Sequence, residues 1–185
     1  MQLRNQRGFT LIEIAIVLTI VGLVIGGIWL AASTVLNNNK KSEAARQVIQ
    51  IVQNTKNLFA NQTGASPADG FNRATAVSAG VFPAGMVVGG IVRHPFATST
   101  TTDSVNIAGA TNTVTLTLGA SGATTAFPQD ACIELVSRVA TLENFQRYGI
   151  TSINGLTAAS TLNATTISGA CPAAGFAVTI VFNVP

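Results

Sequence analysis

Gly8-Phe9-Thr10-Leu11-Ile12-Glu13 heads an apolar run that continues to about Ala32. Arg4 and Arg7 precede it, and from Phe9 to Asn39 the only ionisable side chain is Glu13. A carboxylate in the first turns of a bilayer-crossing helix is costly and persists where it meets a partner. Glu13 is therefore a functional candidate from its position alone.

Three readings compete for residues 1–32. A conventional signal peptide ends its apolar core in a small-residue cleavage site and is discarded, but this run is too long for a usual core. A single-pass anchor is the second, since the run can cross a hydrocarbon layer of about 30 Å. The third is a short basic leader cut between Gly8 and Phe9, with the apolar helix retained as anchor and polymerisation surface. Only the third accounts for Glu13. Positive charges flank both ends of the span, Arg4 and Arg7 before it and Lys40 and Lys41 after it, so charge alone leaves the orientation balanced.

Read this way, the segment resembles the N-terminus of type IV pilins. Their signature is a basic leader ending in Gly, an apolar first mature residue, a Thr-Leu-Ile-Glu-like start and an unbroken hydrophobic helix. Gly8, Phe9, Thr10, Leu11, Ile12 and Glu13 match it one for one. The resemblance implies an α+β type IV pilin fold. In that fold a long N-terminal helix has a protruding hydrophobic half and packs on an antiparallel sheet in a globular domain with one disulfide. It divides the chain into a leader at 1–8, a membrane and polymerisation helix at 9–36, its amphipathic continuation at 37–62 and a head domain at 63–185. It also implies leader removal by a prepilin peptidase and N-methylation of Phe9, which keeps the amine's charge. Glu13 would pair with the Phe9 amine of a neighbouring copy, or bond within its own chain to Phe9 or Thr10. The implied partners are copies of the chain, the membrane before assembly and the inner-membrane assembly machinery. The leader would lie in the cytoplasm and the head outside it, on a bacterial pilus after assembly. A minor pilin or secretion pseudopilin shares this N-terminus, and a membrane-anchored binding or enzymatic ectodomain is the more distant alternative.

Composition agrees with a self-associating protein. Charged residues make up 9% of the 185, far below the quarter usual in soluble domains, and mean hydropathy is +0.45. The formal charge of +3 does not indicate nucleic acid. Removing Arg4 and Arg7 leaves eight Lys and Arg against seven Asp and Glu, with no basic patch interleaved with aromatics. Cys132 and Cys171 are too far apart for a redox pair and form no zinc-like set with the single His94. In an exported domain they read as one disulfide, closing a loop worth roughly 3–4 kcal/mol; in a cytosolic protein they would be two core thiols. No nucleophile–base constellation, phosphate loop or metal cluster can be assembled from the sequence, so neither an enzyme nor a cofactor is expected.

Past the span, Ala45, Val48, Ile49, Val52 and Leu58-Phe59 recur at helical spacing among polar residues. Asn61 to Gly64 and Pro67 make a stop, predicting one helix from Phe9 to about Gln62, near 80 Å long. Gly22, Gly26 and Gly27 weaken it, each by about 1 kcal/mol against Ala. They serve either close packing of helices or local melting on assembly. Val81-Phe82, Met86 to Val88, Ile91-Val92 and Thr113 to Leu118 supply short strands, the last with Val114, Leu116 and Leu118 on one face. Val92-Arg-His-Pro-Phe96 resembles the turn before the sheet of type IVb pilins, with His94 as a turn residue. A second helix is predicted over Gln129–Arg147. The chain closes with a strand carrying Phe176, Val178, Ile180, Phe182 and Val184 on one face and Ala177 and Val181 on the other, as in a central strand. Trp29 suits a membrane interface, and Tyr148 the surface or a contact. Body features are similar to the b subclass of the family, the short leader and Phe9 to the a subclass.

Overall fold

The computed structural model describes residues 10–62, 64, 66–119, 125–172 and 177–185. The expected residues Gly8, Phe9 and Phe176 lie outside these. Helix α1 covers Leu11–Phe59, 49 residues without interruption. It stops three residues before the expected Gln62. Two compact units divide the chain, residues 1–39 and 40–185, and α1 contributes to both.

From Leu11 onward the first unit is helix. Its large apolar side chains lie on every face and are exposed: Leu11, Ile12, Ile14, Ile16 and the rest to Leu36. Only Val88 and Leu162 are exposed large hydrophobics elsewhere among the described residues. A helix apolar on every face carries no amphipathic preference for one side, in contrast to the part of α1 that follows.

In the second unit α1 buries a stripe of Ala44, Ala45, Val48, Ile51, Val52, Thr55 and Phe59. These recur at three and four residues, the spacing of one helix face. The stripe is rotated from the expected one. Ile51 and Thr55 take the core, while Ile49 and Leu58 are half-buried at its edge. Thr55 is tolerated there because its hydroxyl donates to the Ile51 carbonyl at 2.7 Å, which satisfies a polar group that burial would otherwise penalise.

The stripe shares one core with a four-stranded antiparallel sheet. Its strands are β3 (Val105–Ala110), β4 (Thr113–Leu118), β5 (Ile150–Ile153) and β6 (Val178–Asn183), in spatial order β3-β4-β6-β5. The alternation read in Thr113–Leu118 holds: Val114, Leu116 and Leu118 are buried, and the threonines between them are half-buried. β6 is central, pairing β4 on one side and β5 on the other. Val178, Ile180 and Phe182 face the core. β3 forms a hairpin with β4 through Thr111-Asn112. Its Ala-Gly-rich sequence hid it, yet Gly109 is required there, because a Cβ at that position would meet Phe71 Cβ at 2.9 Å and press on the Ala68 carbonyl. A two-stranded ribbon, β1 (Val87–Val88) with β2 (Ile91–Val92), stands where short strands were expected. Val81 and Phe82 are buried in the core but belong to no strand.

The helix expected over Gln129–Arg147 is instead two, α3 (Gln129–Val139) and α4 (Leu142–Tyr148). Ala140 leaves helical geometry at ψ 41°, and Thr141 caps the new helix, its hydroxyl accepting from Asn144 N–H at 3.3 Å. The break lets Val136, Val139 and Phe145 all reach the core. Two short helices had no expectation, α2 (Arg73–Ser78) and α5 (Ala164–Ala170). Each opens on a reciprocal Asn-x-x-Thr capping box, Asn72 with Thr75 and Asn163 with Thr166. Such boxes satisfy two otherwise orphan N–H groups.

Candidate assembly site on the N-terminal helix

Thr10 and Glu13 close the start of α1 on each other. Glu13 Oε2 accepts from the Thr10 backbone N–H at 2.9 Å and from its hydroxyl at 2.8 Å, while Glu13 N–H donates to Thr10 Oγ1 at 3.4 Å. This is the Ser/Thr-x-x-Glu capping box. Of the two intrachain bonds expected for Glu13, the one to Thr10 is present; Phe9 lies outside the described residues. The carboxylate also sits at the positive end of the helix dipole, where negative charge is favoured. Beside it Ile14, Val17 and Leu18 form a wholly apolar surface.

One helix turn after another follows with no other charge. An 18-residue window of α1 reaches a mean hydropathy of 2.6, and none of it is buried. It is long and apolar enough to cross a membrane. Gly22, Gly26 and Gly27 lie within the unbroken helix, and a Cβ added at any of them would meet nothing within 4 Å. Gly22 and Gly26 stand four apart, so they share a face. Trp29 is exposed, like its neighbours along this helix. The described part of this unit is thus an exposed apolar helix with Gly22 and Gly26 on one face and one carboxylate at its start.

The second unit holds the disulfide. Cys132 on α3 is bonded to Cys171 at the end of α5, with Cα atoms 5.9 Å apart, within the ordinary span of a disulfide. The bond joins α3 to the segment that leads into β6, as expected. Sequence reasoning missed its companion. Asn154 adopts φ 49°, a left-handed conformation that Asn tolerates better than most residues. Its Oδ1 accepts from Thr179 N–H at 2.6 Å, and its Nδ2 donates to the Ala170 carbonyl at 3.0 Å and approaches Cys132 Sγ at 3.5 Å. Gln129 Nε2 adds a bond to the Cys171 carbonyl at 2.8 Å. The adjacent Gly155 was the available signal, since Asn-Gly marks a turn, though not this network.

Lys41 and Asp130 link α1 to α3 at 2.7 Å. The hydrogen bond from Lys41 holds the Asp130 carboxyl below its usual range, with smaller help from Coulomb attraction and backbone N–H groups against the cost of burial. Tyr148, expected at the surface or in a contact, is half-buried, its hydroxyl accepting from Gln53 at 3.3 Å. His94 lies in a turn as expected, its carbonyl accepting from Ala97 N–H, but its ring is buried. Among the described residues no cluster of three or more His, Cys, Asp or Glu could hold a metal ion.

Two family models cover these two units. The one described as "Prokaryotic N-terminal methylation motif" matches residues 3–29, which contain the leader-like segment and the Thr10–Glu13 box. The one described as "PilS N terminal" matches residues 38–184, the disulfide-bonded head. No curated protein matches the chain. A methylation motif on a naked apolar helix, followed by a matching α+β head over most of the chain, places this protein in the PilS N-terminal family of type IV pilin-like proteins.

Proposed function

We propose that the chain is the prepilin of a major type IV pilus subunit, cut between Gly8 and Phe9 and polymerised through its N-terminal helix. The observation that carries this reading is the exposed apolar helix with a single carboxylate at its head. Lipid tails are as apolar as the helix, so the helix can leave the membrane only into an equally apolar environment, which a bundle of identical helices supplies. In that bundle Glu13 pairs with the Phe9 amine of a neighbour. Desolvation makes a buried pair a poor source of stability, but an unmatched buried charge is strongly penalised, so the pair sets register. Gly22 and Gly26, with Gly27 beside them, let neighbouring backbones approach closely. The precursor resides in the inner membrane with its head outside the cytoplasm. Its partners are prepilin peptidase, the inner-membrane assembly machinery and further copies of itself.

N-terminal sequencing of the native protein tests the processing step. A start at Phe9 is expected, and a start at Met1 overturns it. Filaments sheared from cells test the role: a major subunit makes up their bulk protein, whereas a minor pilin or pseudopilin is scarce or absent there.

A further inference from the structure

The only histidine of the chain is enclosed rather than displayed. His94 is 2% exposed. Its ring faces Phe96 and Phe127, with centroids 6.4 and 5.1 Å away, and those two phenyl rings meet edge to face at 5.3 Å. Phe96 N–H donates to His94 Nδ1 at 3.2 Å. Nδ1 is therefore the unprotonated nitrogen, and Nε2 carries the hydrogen that it donates to the Thr125 carbonyl at 3.0 Å. The backbone N–H of His94 donates to Ser104 Oγ at 3.0 Å. One residue thus joins the turn at 93–97, the entry to β3 and the Thr125–Pro128 lead-in to α3.

A second proton has one place to go, Nδ1, and there it would face the Phe96 N–H. Two donors would oppose each other beside two phenyl rings. Burial keeps the His94 pKa below the ordinary histidine value, against a smaller opposing effect of the Thr125 carbonyl. The ionisable groups around it do not reverse this. Glu43 of α1 and Arg93 of the same turn line one cleft with His94 and Gln47; the first favours the imidazolium and the second opposes it. Asp103, next to Ser104, is engaged by Arg73 and by Val92 N–H, both at 2.8 Å. The Thr125–Pro128 segment brings no ionisable residue.

We propose that His94 is an acid-sensitive clamp: its neutral ring ties the 93–104 segment to the lead-in of α3, and acidification releases this join before the rest of the head unfolds. The sign follows from linkage. The unfolded chain takes up the proton near pH 6.5, the folded head only at lower pH. The clamp's contribution is then complete above about pH 6.5 and is lost as the pH falls toward the folded value. As the single histidine, His94 is the one side chain whose ordinary titration lies in this window.

The test uses the full chain in detergent micelles. The imidazole C–H resonance is followed against pH, with amide exchange at Phe96, Ala97, Ile180 and Phe182 corrected for the intrinsic pH dependence. The expected midpoint lies below 6.5. Exchange at Phe96 and Ala97 accelerates as the pH approaches it, by about tenfold in total for each unit between the free and folded values, while Ile180 and Phe182 in β6 stay protected. His94→Gln keeps a donor and an acceptor without a titration, and its exchange is flat over the same range. An ordinary midpoint overturns the proposal, as does equal acceleration in His94→Gln or β6 opening together with Phe96. Should His94→Gln fail to fold, the wild-type contrast between Phe96 and β6 decides alone.

Discussion

Glu13 combines one observed role, the helix cap, with one proposed role in register. Its Oε2 caps its own helix through Thr10, and its charge is available to a neighbour. Gln at this position serves a capping box as well as Glu does but cannot neutralise an amine. Glu13→Gln is expected to leave the helix start and the membrane level of the protein unchanged while sheared filament yield falls to a trace. Wild-type yield would reduce Glu13 to a cap and remove the register role. Asn154 illustrates a different dependence. Its side-chain amide serves Thr179 N–H and the Ala170 carbonyl, and each of these half-buried groups left unpaired costs about 1–2 kcal/mol. Asn154→Ala is expected to lower unfolding free energy by roughly 2–4 kcal/mol in denaturant titration with the disulfide intact; a loss below about 0.5 kcal/mol, the range of ordinary surface substitutions, would count against the network. Glu13 was legible in the sequence because an isolated charge in an apolar run contradicts its surroundings. Asn154 was not, because its partners lie 16 and 25 residues away, at the end of α5 and in β6, and only the fold brings them to it.

At the level of elements, what could be read depended on whether a pattern was local. β4 and β6 alternate strictly, so their buried faces followed from the order of residues. The α3–α4 break did not, because Cys132 to Phe145 keeps helical spacing through Ala140, and only tertiary packing decides that the chain turns there. α2 and α5 went unseen because their capping boxes use Thr at the third position instead of Glu or Gln, and because the flanking sequence is rich in Ala, Ser and Thr. The glycines of α1 permit a sharper test. An Ala at Gly22 or Gly26 adds one methyl and raises helix propensity by about 1 kcal/mol; a Leu adds bulk on the face that would meet another backbone. If close packing is their role, Gly26→Ala assembles near wild-type level and Gly26→Leu does not, as read by sheared filament yield at equal membrane level. If local melting is their role, the stiffer Gly26→Ala fails as well, and that outcome would sink the packing reading.

For the whole molecule, the distribution of buried residues separates two tasks. Every fully buried hydrophobic residue among those described lies between Ala44 and Val184, so the head's core draws nothing from residues 10–43. The head also holds its own disulfide, its own four-stranded sheet and edges that are already blunted. Asn72 bridges to Ala108 on the edge of β3 away from β4, and β5 carries a register shift and a Leu156 turn against Ile153. Such blunting guards against pairing of sheet edges between copies, in keeping with the proposal that the apolar helix carries self-association. A chain beginning at Asn37 is therefore expected to fold as a soluble monomer with Cys132 and Cys171 bonded. It keeps the native cooperative unfolding transition, and it does not polymerise at concentrations where the processed full chain does. Analytical ultracentrifugation and circular dichroism on the oxidised protein check this. Filaments from the truncated chain would show that the heads alone carry assembly, whereas an unfolded product would show that the first unit is needed for folding. The expected outcome places cohesion in the helix and shape in the head, and it makes Glu13 matter only when the helix before Asn37 is present.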